Sequence, residues 1–492
     1  MISRFHSPLR LIFVCLLFIG MSPGAVQADQ LTLQQCIGLA LEQNLQYRSQ
    51  YQSLANSYAS LQRARAPFEL QVEADLDLPT YNETRDLQES IALQSRVFEE
   101  QTNFTYNGNL QVSQRIPYAG RLSLVTSAQR RDFSSSSRDD VLDMVGNMRL
   151  NYSHQLLETP REEIALKQAE LSLTNSQHDY GRQKLVLEGQ VIDTYYNLVQ
   201  SIRRLEIEEQ RLEQSKASLE LAQRKFEIGL IAEVEALKLR VAMLRSEASF
   251  ASAETEIERR RDQLRDVLGM NMNVPLDVAT EVAFQQYQID PARALEIGLQ
   301  KRTDMQQTEI TEELRQLNLD DVRRRNGITA TLNANVSLLG RGDEIGDISR
   351  NLSRNQWGMG IQVNLPLIDN GQRRGEILQA EIALEQSRLS YDMRRQQVIQ
   401  DIRNAVRNLK DAERQISLRE AALEVANRTY EVEQSRFELG LAQSQDLLDA
   451  QAELTQARID NLDSIISYQR QLKNLRLATM AELEQLGAVS IE

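Results

Sequence analysis

The phrase KFEIGL at residues 225–230 returns as RFELGL at residues 436–441, 211 positions later. Six letters mean little alone, so the weight rests on how far the echo extends at that offset. QAELSLTNSQHDY (168–180) lies over QAEIALEQSRLSY (379–391), with Gln, Ala, Glu, Leu, Ser and Tyr coinciding, and the register from 159 to 237 needs no gap. The N-terminal parts correspond at a different offset, 258, which sets CIGLALEQN (36–44) over ALEIGLQKR (294–302). The two offsets differ by 47, so the first copy carries about that many extra residues between 45 and 158. The chain is a tandem duplication with one insertion, and any fold must account for both copies at once.

The repeated unit is a long helical hairpin. From 191 to 226 the apolar positions are Val191, Tyr195, Leu198, Ile202, Leu205, Leu212, Leu219 and Phe226; the second copy gives Ile402, Val406, Leu409, Ile416, Leu423, Tyr430 and Phe437. Steps of three, four and seven form a heptad seam, which implies a left-handed supercoil. TPRE (159–162) predicts a helix start with Thr159 as N-cap, Pro160 at the first helical position and Glu162 completing a capping box. From there to Gly229 is about 70 residues, or ~105 Å of helix, and Asn370 to Gly440 has the same length. Gly229 and Gly440 supply left-handed caps, and periodic sequence resumes within a few residues. Each FExGL is therefore read as the turn at the tip of a hairpin.

Strand-like sequence precedes each long helix. Alternating apolar and polar residues predict strands at 68–78, 106–116, 121–133 and 147–157 in the first copy, and at 328–339 and 357–368 in the second. The extra pair accounts for the insertion. Ten-residue strands suit either a soluble sheet or a membrane barrel; the N-terminus and the ~100 Å hairpins favour the barrel. Trp357, Phe104, Tyr106, Phe133 and Tyr152 are candidates for its interfacial girdles.

That N-terminus reads as a secretory signal over residues 1–28: Arg4 and Arg10, the apolar run LIFVCLLFIG (11–20), then VQA before Asp29. The run is too short to span a bilayer as a helix, and no later segment comes near the needed length. The net charge is −14, and removing residues 1–28 takes away two arginines and no acid, leaving −16. Such acidity argues against nucleic acid as a partner. After Ala28 there remain one cysteine, Cys36, and two histidines, His154 and His178, far from ligand spacing. Metal, triad and nucleotide-binding chemistry lack raw material, so no cofactor and no enzymatic activity are expected. The Arg-Gly-Asp triplet in GRGDEIG (340–346) reads as a polar turn between strands. The organisation expected is a first repeat over 29–270 with its hairpin at 159–268, a linker at 271–290, a second repeat over 291–486 with its hairpin at 370–486, and a tail at 487–492.

With these elements assembled, the sequence resembles the TolC family of outer-membrane channel proteins. LTLQQCIGLALEQN (31–44), the strand-to-helix joint VNLPLIDNGQRRGEI (363–377) and both FExGL tips carry the resemblance, which covers nearly all of the chain after residue 28. It implies a mostly α fold with a transmembrane β-barrel: a homotrimer whose strands close one barrel in the outer membrane and whose twelve helical segments form a tunnel into the periplasm. It implies a duct for efflux or type I secretion, closed at its tips until a periplasmic adaptor and an inner-membrane pump engage it. Phe226, Gly229, Leu230, Phe437, Gly440 and Leu441 become candidate adaptor contacts, and Asp446 and Asp449, six and nine positions beyond Gly440, candidate constriction residues. Stacked rings of three carboxylates repel, each pair at ~4 Å by about 1 kcal/mol in water and ~4 kcal/mol at an effective dielectric of 20. The local alternative is that both aspartates complement a helix N-terminus. The first copy holds Glu235 and Lys238 at those offsets, and Ala442 stands where the family prototype has an arginine that helps lock the closed state. The prototype has four strands per protomer; six are expected here, so either the barrel is wider or the insertion folds outside it. The competing class is a periplasmic coiled-coil scaffold or adhesin stalk without a pore, for which the strand blocks have no use.

Overall fold

The computed structural model describes residues 30–90, 95–135, 138–157, 160–281, 285–486 and 489–491; the signal expected at 1–28 and the N-cap expected at Thr159 lie outside them. The first copy runs α1 (Leu33–Gln43), α2 (Leu45–Arg65), β1 (Gln71–Ser90), β2 (Ser95–Ile116), β3 (Gly120–Ser135), β4 (Arg138–Gln155), α3 (Arg161–Glu227) and α4 (Glu233–Leu268). A short β5 (Gln286–Gln288) leads into the second copy: α5 (Pro291–Lys301), α6 (Thr303–Arg325), β6 (Thr329–Gly342), α7 (Ile345–Arg350), β7 (Ser353–Asn364), α8 (Gln372–Glu438) and α9 (Ser444–Thr479), followed by β8 (Val489–Ile491).

Both ends of α3 and α4 map onto both ends of α8 and α9 at the offset of 211, while α1 and the starts of α2 and β1 map onto α5, α6 and β6 at 258. The first strand of each copy therefore corresponds at its start. β4 corresponds to β7, because each feeds a long helix. β2 and β3 are the surplus pair. The six long strands form one antiparallel sheet in the order β1-β2-β3-β4-β6-β7, apart from the short pair β5-β8. The first-copy strands are 16 to 22 residues long, well beyond the expected ten or so. On β1 much of the extra length is polar sequence, TYNETRD, which keeps pairing with β2 from Thr80↔Thr105 to Ser90↔Ser95. The Arg-Gly-Asp triplet is not wholly a turn: Arg341 and Gly342 end β6, paired with Val145 and Met144, and only Asp343 and Glu344 connect it to the short α7.

α3 and α8 are 67 residues each, about 100 Å long at 1.5 Å per residue. Their seams are buried: Val191, Tyr195 and Leu198 in one copy, Ile402, Val406 and Leu409 in the other. The helices lie in the order α4-α3-α9-α8 in the half nearer the tips and α2-α3-α6-α8 in the half nearer the sheet. Four helices thus stand side by side at either level. Between the halves, residues 271–281 and 285–290 act as a strap. Leu31 bridges Val278, and β5 pairs β8. The Tyr195 hydroxyl donates to the Ala279 carbonyl at 2.7 Å, and the Tyr468 hydroxyl donates to Gln285 O at 3.0 Å while accepting from the Tyr287 N–H at 3.2 Å. Cys36 is fully buried beneath this strap, and burial pushes its thiol up to about 11.

The start of α3 corrects the capping-box expectation. Pro160 itself is the N-cap residue, with no side-chain cap. Glu162 instead binds Arg115 of β2 at 2.9 Å, and Glu163 accepts the Tyr118 N–H at 3.0 Å from the β2–β3 turn. Those carboxylates tie the inserted strands to the helix below them.

Candidate functional site: the helical tips and the sheet faces

Each long helix ends with the same hydrogen bonds. The Leu230 N–H donates to Lys225 O at 2.8 Å and the Gly229 N–H to Phe226 O at 2.9 Å; the Leu441 N–H donates to Arg436 O at 2.8 Å and the Gly440 N–H to Phe437 O at 3.0 Å. Gly229 has φ +77° and Gly440 φ +78°. This is the Schellman arrangement, in which a left-handed residue lets the chain reverse onto its last carbonyls. The turns hold four large apolar side chains in solvent: Ile228, Leu230, Leu439 and Leu441, each about 70% exposed. Ile228 and Leu439 were not singled out from the sequence.

Identical phrases sit in different surroundings. Phe437 is 1% exposed in the core between the two hairpins, whereas Phe226 is 42% exposed. Lys225 is 6% exposed; its ammonium donates to the Phe437 carbonyl and lies 4.6 Å from the centre of that ring. A cation there faces the negative end of the α8 dipole. Burial pushes the Lys225 pKa down, with the Glu438 carboxylate opposing. Its counterpart Arg436 stays on the surface, paired with Glu433 at 2.6 Å. Sequence reasoning passed over Lys225, for which the only sign was a lysine in one phrase where the other has arginine.

A second contact between hairpins involves Glu235. Lys238, at 2.9 Å, holds its carboxyl below the usual carboxylate range. Ser444 at the start of α9 also favours the charged form, although no hydrogen bond of ordinary geometry joins Glu235 Oε2 to the buried Ser444 hydroxyl. Ala442, in the place expected to differ from the prototype's arginine, packs against the apolar cluster of the tip.

Asp446 and Asp449 are exposed one helical turn apart on α9. Asp446 accepts the Gln443 N–H at 3.0 Å, so it caps its own helix; Asp449 accepts from the Gln445 amide at 2.8 Å. The local role weighed for Asp446 is therefore present, and one protomer alone brings no third carboxylate to them. Among the described residues no group of three or more His, Cys, Asp or Glu is placed to hold a metal.

At the other end of the molecule the sheet has two unlike faces. The register lines up Leu76, Gly108, Ala128, Gly146 and Gly340 on one face, and the rows toward the helices add Val72, Leu110, Leu124, Leu150, Val336 and Ile361. Many of these are large and exposed, including Leu76 at 82% and Met359 at 73%. The opposite face carries Asp75, Asn109, Ser127, Asn147, Asn335 and Gln362. On β2 the apolar run from Phe104 to Val112 measures ~27 Å along the strand, or ~20 Å in height at a 40° tilt. Beyond it the same face turns charged, with Glu83, Arg85 and Glu100. Trp357, Phe104, Tyr106 and Tyr152 lie on the apolar face. Phe133 does not: its partners Asn103 and Val141 place it on the opposite face, because alternation on β3 puts Leu122 and Leu124 outward. No helix among the described residues is long and apolar enough to cross a membrane.

Residues 146–270 and 299–480 match the family model described as outer membrane efflux protein. Over 319 residues the chain is 22% identical to a probable efflux pump outer membrane protein, TtgC, of Pseudomonas putida, which covers 64% of this chain and 62% of that protein. The matched stretch thus spans less than two thirds of that relative. Among solved structures, the outer membrane protein VceC of Vibrio cholerae gives a TM-score of 0.66 at 15% identity, covering 91% of this chain and 95% of that one. The open-state outer membrane channel MtrE of Neisseria gonorrhoeae gives 0.65 at 16% identity, covering 91% and 88%. At such identities the structural likeness speaks for the fold. The family match covers more than half of the chain and takes in both hairpins with both tip turns, and on that ground the chain belongs to the outer membrane efflux protein family.

Proposed function

We propose that three copies of this chain form the outer-membrane exit duct of a tripartite efflux or type I secretion assembly, a passive channel closed at its periplasmic helical tips. The observation that carries this reading is the sheet, with one apolar and one polar face, mounted at the end of ~100 Å helices. Lipid on one side and water on the other suit such a sheet, and a soluble stalk has no use for it. The helical half offers matching edges. α4 exposes Val234, Leu237, Val241 and Leu244, and α8 exposes Leu418, Val425 and Val432. Two different apolar seams at opposite edges call for head-to-tail contact between copies, which closes into a ring.

In that ring Asp446 and Asp449 of three copies would face the axis at its narrow end. Mutual repulsion would then be relieved by bound cations. The exposed leucines and isoleucine of the tip turns are the surface offered to a periplasmic adaptor, with the inner-membrane pump supplying energy and cargo choice. The test is current through the purified protein in a planar bilayer, for the wild type and for Asp446→Asn/Asp449→Asn, with and without divalent cation. Small cation-selective steps, blocked by divalents and unblocked in the double variant, are expected. Silence from a folded trimer would sink the channel. Steps indifferent to both aspartates would leave the channel and remove the constriction from Asp446 and Asp449.

A further inference from the structure

The surplus strands lie in the middle of the sheet. β2 pairs with β1 from Gln71↔Ser113 to Ser90↔Ser95, and with β3 from Gln101↔Ser135 to Ile116↔Gly120; β3 in turn pairs with β4. A barrel of four strands per protomer would have to join β1 directly to β4 and discard all of these pairs. The apolar face crosses β2 and β3 in the rows Val112–Leu124, Leu110–Thr126 and Gly108–Ala128, while farther from the helices Tyr106 and Phe104 meet the ion-paired Arg130 and Asp132. The β2–β3 turn is bound to α3 through Arg115–Glu162 and Tyr118–Glu163.

β1 and β7 are the two edges of the sheet. β1 leads away from the helices and β7 returns to α8, so the two edges have the opposite directions that antiparallel pairing requires. Both present the apolar belt on the same face. An unpaired edge cannot remain within hydrocarbon, because its N–H and C=O groups find no water there. We propose that β7 of each copy pairs with β1 of the next, closing one eighteen-stranded barrel to which every copy gives six strands. This deepens the channel reading and rests on its threefold assembly.

Arc lengths support the count. Six strands spaced ~4.8 Å and tilted ~40° occupy about 38 Å of circumference; four would occupy about 25 Å. The four helices at either level, ~10 Å apart, occupy about 40 Å. Six strands therefore sit on their helices without a step in radius. Eighteen strands give a backbone diameter of about 36 Å, in the range where barrels hold an aqueous channel. The polar lining contributed by the inserted pair, Asn107, Asn109 and Ser127 among it, then forms part of the channel wall.

The test uses the full trimer with paired cysteines on the polar face; the native Cys36 is buried and does not interfere. Asp75→Cys is combined in turn with Gln356→Cys, Gly358→Cys, Gly360→Cys and Gln362→Cys of β7, then oxidised. One register of these pairs should give a reducible ladder of two and three linked protomers on a denaturing gel. Ser127→Cys/Asn147→Cys, direct neighbours on β3 and β4, should close within one chain as a control. Asp75→Cys/Asn147→Cys should stay reduced, since three strand spacings, ~14 Å, exceed disulfide reach. Closure of that last pair within a protomer would overturn the eighteen-stranded barrel in favour of twelve. A trimer by native mass measurement with no ladder at any β7 position would overturn the closure and leave the channel. A monomer or dimer would overturn the threefold assembly itself.

Discussion

Replacing Lys225 by methionine tests whether the two hairpins are held together at their tips. Methionine keeps most of the apolar stem that packs on Phe437 and removes the ammonium. A hydrogen bond from a charged group contributes ~1.5–3 kcal/mol, and a cation over a phenyl ring adds about 0.5–1 kcal/mol. Two facts reduce the net loss. Burial already disfavours the charged lysine, as its lowered pKa shows, and the Phe437 carbonyl keeps the Gly440 N–H at 3.0 Å. A loss of about 1–2 kcal/mol is expected, shifting the ratio of joined to parted tips roughly 5- to 30-fold. Two readouts apply: the frequency of opening in planar bilayers, and the distance between spin labels at Glu227→Cys and Glu438→Cys across the hairpins. Lys225→Met should open more often and broaden the distances. A variant with normal thermal stability, unchanged openings and unchanged distances would refute the reasoning, leaving Lys225 as packing only.

Gly440→Ala meets no neighbouring atom, so only the left-handed backbone at φ +78° opposes it; a cost of ~1–2 kcal/mol should appear as lost amide protection in the last turn of α8, with Gly440→Asn milder. Tyr468→Phe leaves Gln285 O and the Tyr287 N–H without the buried hydroxyl, and should lower stability to denaturant by ~1–3 kcal/mol. Glu235 has a lowered pKa in the folded tip. Its contribution is therefore present above the unfolded carboxylate value and lost as pH falls through the depressed one. Channel opening should rise on that acid side in the wild type, and Glu235→Gln should flatten the rise.

Short-range physics made much of this molecule legible in its sequence. The heptad seams and the left-handed glycines each depend on residues within a turn or two, and because the duplication repeats them at a fixed offset the two hairpins end at equivalent positions. The strand blocks were visible wherever apolar and polar residues alternate, but their polar extensions past Asp77 and Phe104 were not, since backbone pairing alone sustains them there. Glu162 looked like a capping residue because the chain nearby is all a sequence shows; its partner Arg115 arrives from 47 residues away. Phe133 was assigned to the wrong face because an aromatic residue does not announce the phase of its strand.

What only the tertiary structure decided is how the two copies differ. KFEIGL and RFELGL build the same turn, yet Phe437 is buried and Phe226 exposed, and Lys225 is drawn inward while Arg436 stays in water. The cause is packing between hairpins: α9 lies against α3, so one tip rests on the other, and a repeat that is symmetric in sequence becomes asymmetric once its copies touch. The same holds for the sheet. The sequence by itself established that a pair of strands was extra; their place between β1 and β4 follows from pairings no local pattern encodes.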